Sequence, residues 1–123
     1  MGAGPQRLLS DLKFLGLLFE SLVVRDLRVY AQLHHGKVFH YRDNTGLEVD
    51  AIVEQNDGRW AGIEVKLGSN QIDQGAKSLL AFSNRIDQAS SGAPAFLAVV
   101  TARGYAYQRP DGVMVLPIGT LGP

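Results

Sequence analysis

Between Lys37 and Lys66 the chain is punctuated twice by turn chemistry, and those turns limit what it can build. Asp43-Asn44-Thr45-Gly46 separates two short strand-like runs, Lys37–Arg42 and Leu47–Glu54. Asn56-Asp57-Gly58 then leads into a third run, Arg59–Lys66. Upstream, Gln6 to Leu33 has helical periodicity, with Leu8, Leu12, Leu15, Phe19 and Leu22 forming an apolar stripe. Downstream, Gln71 to Arg85 is a second helical stretch with Ile72, Ala76, Leu79, Leu80 and Phe82 on one face, and Gly68-Ser69-Asn70 ahead of it supplies a cap. Ala95–Thr101 reads as a strand buried on both faces, and Gly112–Pro117 as a short final strand. The predicted order is therefore α-β-β-β-α-β-β, an α/β sandwich, with no internal repeat or linker to divide residues 1–123 into more than one domain.

Composition narrows the function classes. A chain of 123 residues can bury roughly two thirds of its unfolded surface, enough for a core without staples. It has no Cys, which excludes disulfides and thiolate metal sites. Its 12 Lys+Arg balance 12 Asp+Glu, which argues against coating nucleic acid by bulk charge. No apolar run approaches the roughly 18–20 residues that span a membrane. The opening MGAGPQRLLSDL lacks the design of a signal peptide, so the expected setting is cytoplasmic, with no membrane partner. Met1-Gly2-Ala3-Gly4 reads like a cut between domains, and the expectation is a domain excised from a longer protein.

The chemistry concentrates in the second and third strand-like runs. Alternation puts Val49, Ala51 and Val53 on one face of the second and Glu48, Asp50, Ile52 and Glu54 on the other. In the third, Ala61, Ile63 and Val65 share one face and Trp60, Gly62, Glu64 and Lys66 the opposite one. Packing the two apolar sets together leaves Asp50, Glu64 and Lys66 on one side, near one another. Two converging carboxylates repel and call for a shared proton or a cation. A hard divalent ion such as Mg²⁺ suits two carboxylates and a backbone carbonyl, and a lysine beside it can orient water or offset charge on a phosphate. Taken alone, Glu-x-Lys on a strand is an ordinary salt-bridged surface; the acid across the hairpin is what sets this one apart.

Glu48-Val49-Asp50 followed after a turn by Ile63-Glu64-Val65-Lys66 resembles the core of the PD-(D/E)xK nuclease superfamily. More narrowly, Phe19-Glu20, Tyr41-Arg42, Gly46-Leu47-Glu48-Val49-Asp50 and Ile63-Glu64-Val65-Lys66 resemble the DUF4143 domain, found toward the C-terminal end of AAA+-type ATPases. The resemblance runs from about Gly16 to Thr101. It implies a restriction-endonuclease-like sandwich, a mixed central sheet flanked by helices, attached to an upstream AAA+ ATPase domain. It further implies Asp50 and Glu64 as carboxylate ligands of Mg²⁺ or Mn²⁺, the Val65 carbonyl as a third donor, Glu20 as a supporting acid and Lys66 as the catalytic lysine. DNA or RNA would be the substrate. Glu20 is open between this role and that of a rim acid reaching solvent, Arg59 or Lys66. Glu48 is open between a ligand, a partner of a ligand and a rim acid paired with Arg42. No convincing proline precedes Asp50, and Gln71 or Gln74 only loosely matches the glutamine of some related nucleases.

Two further patterns stand apart. His34, His35 and His40 with Lys37 and Arg42 make a locally basic patch without the convergent spacing of a zinc site. Arg103, Tyr105, Tyr107 and Arg109 alternate as on a strand, fitting either base stacking or a hairpin face. No GxxxxGK[ST] loop occurs, so the chain is not itself the ATPase. Two functions are thus expected to compete: metal-dependent phosphodiester hydrolysis of nucleic acid, or a catalytically silent regulatory or docking domain on an AAA+ ATPase.

Overall fold

The computed structural model describes Phe14, Arg28, residues 31–32, 35–66, 68–88, 92–102 and 104–117. Its sheet is six-stranded: β1 (Lys37–Arg42), β2 (Glu48–Glu54), β3 (Trp60–Val65), β4 (Phe96–Thr101), β5 (Tyr107–Gln108) and β6 (Met114–Pro117). A 3-10 turn (Ser69–Gln71) leads into helix α1 (Ile72–Gln88) between β3 and β4. The spatial order is β1-β2-β3-β4-β6-β5. The first three strands form an antiparallel meander, closed by turns in which Gly46 and Gly58 both take φ of 91°. Helix α1 then carries the chain across the sheet, so β4 lies parallel to β3 and β6 parallel to β4. The chain is thus α/β with a mixed sheet, as the sequence predicts. Of the predicted N-terminal helix, only Phe14, Arg28, Ala31 and Gln32 are described, and these are helical; the rest, including Glu20, lies outside the described residues, as does His34 after it.

Both faces of the sheet are covered. Ala76, Leu79 and Phe82 of α1 pack on Val49, Ile52, Trp60, Leu97, Val99 and Val113. On the opposite face Phe14 meets Val53, Ala61, Ile63 and Val100, with an edge-on contact to Phe96 at 5.4 Å. Leu79 is wholly buried, which for a leucine is worth about 2 kcal/mol. Strand β3 accordingly has no solvated face until Val65.

Two expectations need correction. Strict alternation along β2 fails, because Val49 shares the α1-side core with Ile52, whereas Ala51 and Val53 belong to the other face. The cause is a bulge: Phe39 pairs with Ile52 and Tyr41 with Val49, so Asp50 and Ala51 together oppose His40. Secondly, three strands follow the helix, where the sequence predicts two. The extra one, β5, is two residues long and pairs antiparallel with the outer side of β6.

Candidate functional site

The backbone pairing of β2 with β3 ends at Ala51 opposite Ile63. Beyond it the Asp50 side chain takes over: the Val65 N–H donates to its Oδ2 at 2.8 Å. Glu64 faces α1 and is 4% exposed, while Lys66, half-buried, follows the strand and donates its N–H to the Val100 carbonyl at 2.9 Å. Helix α1 lies directly on these two side chains. A Cβ placed on Gly75 would stand 3.1 Å from Lys66 Cγ, 3.3 Å from Val99 Cγ2 and 3.6 Å from Glu64 Cβ. Glycine here permits an approach that alanine would crowd.

The electrostatics follow from that burial. Loss of solvent raises the Glu64 pKa to about 8, and the hydrogen bond and negative charge of Asp50 push the same way. The Lys66 charge and the Asp50 backbone N–H pull against them. At neutral pH without a bound cation, Glu64 therefore keeps its proton and shares it with Asp50. The result is a buried acid that resists ionisation, with the Asp50 carboxyl and the Lys66 side chain beside it.

Of the residues expected at the site, the structure brings together Asp50, Glu64 and Lys66, with the Val65 backbone between the last two. Glu20 lies outside the described residues. Glu48 is not drawn in: it is exposed and sits 3.2 Å from His40 Nε2. It is a rim acid, and although Arg42 is its strand neighbour, the histidine ring is its hydrogen-bond partner. Among the described residues, no three or more His, Asp or Glu side chains converge as a ready metal cage. Arg103 is outside the described residues. Arg109 turns to Asp73 at 2.6 Å and Asp111 at 3.1 Å, which raises its pKa through the Asp73 hydrogen bond first. It therefore does not continue an open face with Tyr105 and Tyr107, which are exposed.

Sequence reasoning passed over two residues. Gly75 signals itself only as a glycine inside a helical pattern, where it costs about 1 kcal/mol relative to alanine. Asp43 looked like ordinary turn chemistry, but it gathers donors from Tyr41 Oη at 2.8 Å, Thr45 N at 2.9 Å, Thr45 Oγ1 at 2.6 Å, Leu47 N at 3.3 Å and the Arg85 guanidinium.

Residues 15–121 match the family described as Domain of unknown function (DUF4143). The chain belongs to the DUF4143 family. The matched span takes in every strand, the helix and the Asp50–Glu64–Lys66 group of this DUF4143 domain. No curated protein and no solved structure matches it. Among its described residues no helix is long and apolar enough to cross a membrane.

Proposed function

We propose that this DUF4143 domain is a nuclease-like module of the PD-(D/E)xK type, hydrolysing phosphodiesters of DNA or RNA with a divalent metal. The observation that carries this reading is the convergence of Asp50 with a buried, proton-retaining Glu64 beside Lys66. An antiparallel meander followed by a helical crossover to a parallel strand also supports a restriction-endonuclease-like arrangement. The donor set fits a hard cation, because two carboxylates that must otherwise share a proton gain by exchanging it for a metal. Asp50, Glu64 and the Val65 carbonyl would hold Mg²⁺ or Mn²⁺, with Glu20 as a supporting acid. When bound, the ion supplies Lewis-acid polarisation of the phosphodiester and a water of lowered pKa. The chain's own residues do the rest: Asp50 and Glu64 orient the site, and Lys66 positions the attacking water and offsets charge on the phosphate.

Titration with Mn²⁺ followed by cleavage assays on supercoiled, branched and single-stranded DNA and on RNA tests this. Saturable binding lost in Asp50→Ala and Glu64→Ala, with cleavage lost in Lys66→Ala, is the expected result; no binding at millimolar Mn²⁺ would sink the reading. One observation favours a second reading. The Asp50 carboxylate already serves the Val65 N–H, a structural task that a catalytically silent domain would also need. In that reading the module regulates or docks an AAA+ ATPase encoded upstream, and pull-down with that region is its direct test.

A further inference from the structure

Helix α1 has one glycine, Gly75, buried near its start, where alanine would be the better helix former. What the position gains is room. A Cβ there would be enclosed by Lys66 Cγ at 3.1 Å, Val99 Cγ2 at 3.3 Å and Glu64 Cβ at 3.6 Å. The first two distances are shorter than the roughly 3.5–4.0 Å that carbon atoms prefer, so a side chain at this position would displace something. The helix is held by Ala76, Leu79 and Phe82 in the core. Val99 is wholly buried on β4, and Glu64 is 4% exposed. Lys66 is the neighbour that can yield. Its N–H is tied to the Val100 carbonyl, but its side chain is half-buried, and a lysine stem turns readily toward water. Its charge acts on Glu64 where the stem now lies.

We infer that Gly75 is a positioning residue: its missing side chain leaves the slot in which the Lys66 stem lies, and so keeps the ammonium beside Asp50 and Glu64. A methyl group at this position is absorbed by swinging the stem outward, away from the acids. The helix gives up the propensity of alanine at this turn, and the site gains a lysine held from above. The inference rests on the proposed nuclease reading for its catalytic consequence, but not for the placement of Lys66.

Acetylation of the intact chain with acetic anhydride, followed by mass spectrometry, reads that placement without metal or substrate. In the wild-type chain Lys66 should react more slowly than the exposed Lys37 and Lys77. In Gly75→Ala it should approach their rate, with unchanged circular dichroism. Single-turnover cleavage with Mn²⁺ should then fall by about tenfold at unaltered Mn²⁺ affinity, since a small misplacement of a reacting group costs rate. Adding Val99→Ala to Gly75→Ala clears the Val99 side of the slot. It should return Lys66 to slow acetylation and recover most of the cleavage, although it removes buried core; a merely structural defect would deepen instead. If acetylation follows this pattern and the wild-type chain cleaves nothing, the nuclease reading falls and the placement of Lys66 is upheld. Lys66 as reactive as Lys37 and Lys77 in the wild-type chain would overturn the inference, whether or not Gly75→Ala folds. So would acetylation or wild-type cleavage left unchanged by Gly75→Ala, or no recovery on adding Val99→Ala.

Discussion

Two carboxyl groups near the same end of this sheet are held in opposite states. Asp43, in the β1–β2 turn, is surrounded by donors, and the Thr45 hydroxyl above all holds it well below the usual carboxylate range. Glu64, on β3, is buried among carbons beside another acid and is pushed up to about 8. Burial leads at Glu64 and donors lead at Asp43: an acid whose lone pairs are filled is a fastener, and one dehydrated beside another acid is primed for a cation or a proton. Asp43 pins its turn to the last stretch of α1 through Arg85, and nothing in its bonding is left over for chemistry.

The contrast breaks most sharply at Lys66. Lys66→Ala should lower metal-dependent cleavage by about a hundredfold or more, with the fold and Mn²⁺ binding kept; single-turnover assays beside a thermal melt check it. Next in size is the pH dependence. Glu64 binds its proton more tightly folded than unfolded, so metal-free stability should fall as pH rises from about 4.5 toward 8, by at most about 1.4 kcal/mol per pH unit. Glu64→Gln should flatten that slope in denaturant titrations, and an unchanged slope would remove the acid from its assigned state. Asp43 has the reverse sign: its contribution stands above the ordinary carboxylate pKa and is lost as pH falls through its own lowered value. Asp43→Asn should therefore depress the melting temperature at neutral pH more than Asp57→Asn does, the latter acid being an exposed turn residue. The smallest effect belongs to Arg85→Ala, whose solvent-screened ion pair should leave the melting temperature nearly unchanged in a thermal melt.

Much of this was legible in the residues. Turn chemistry and periodicity placed β1, β2, β3, α1 and β4 to within a few residues, because each is bounded by Gly, Asn or Asp or carries a full apolar stripe. The bulge was not legible. Glu48-Val49-Asp50-Ala51-Ile52-Val53-Glu54 contains apolar residues consistent with either phase, and only the partner strand reveals that Asp50 and Ala51 share one position. Strand β5 lay within the alternation of Arg103, Tyr105, Tyr107 and Arg109 but was not counted as an element; only two residues of that run pair, and the nearby Tyr105 is left in solvent. At the candidate site, the meeting of Asp50 and Glu64 followed from the hairpin, but the face was misjudged: the side of β3 that carries Glu64 is also the side covered by α1. What reads as a polar face along Trp60, Gly62 and Glu64 is the sheet's main core, and that is why the acid is dehydrated.

The tie from Asp50 to the Val65 amide gives this end of the sheet an unusual dependency. The group that terminates the β2–β3 pairing is itself half of the acid pair, so the tip of β3 is latched by the site on its β2 side and by the Val100 carbonyl on its β4 side. A ligand that recruits that carboxylate shares it with the bond that secures the tip, since Oδ2 holds the amide and Oδ1 belongs to the same group. The Val65 amide proton is therefore the backbone position at which a displaced Asp50 Oδ2 should show first, as faster exchange with solvent.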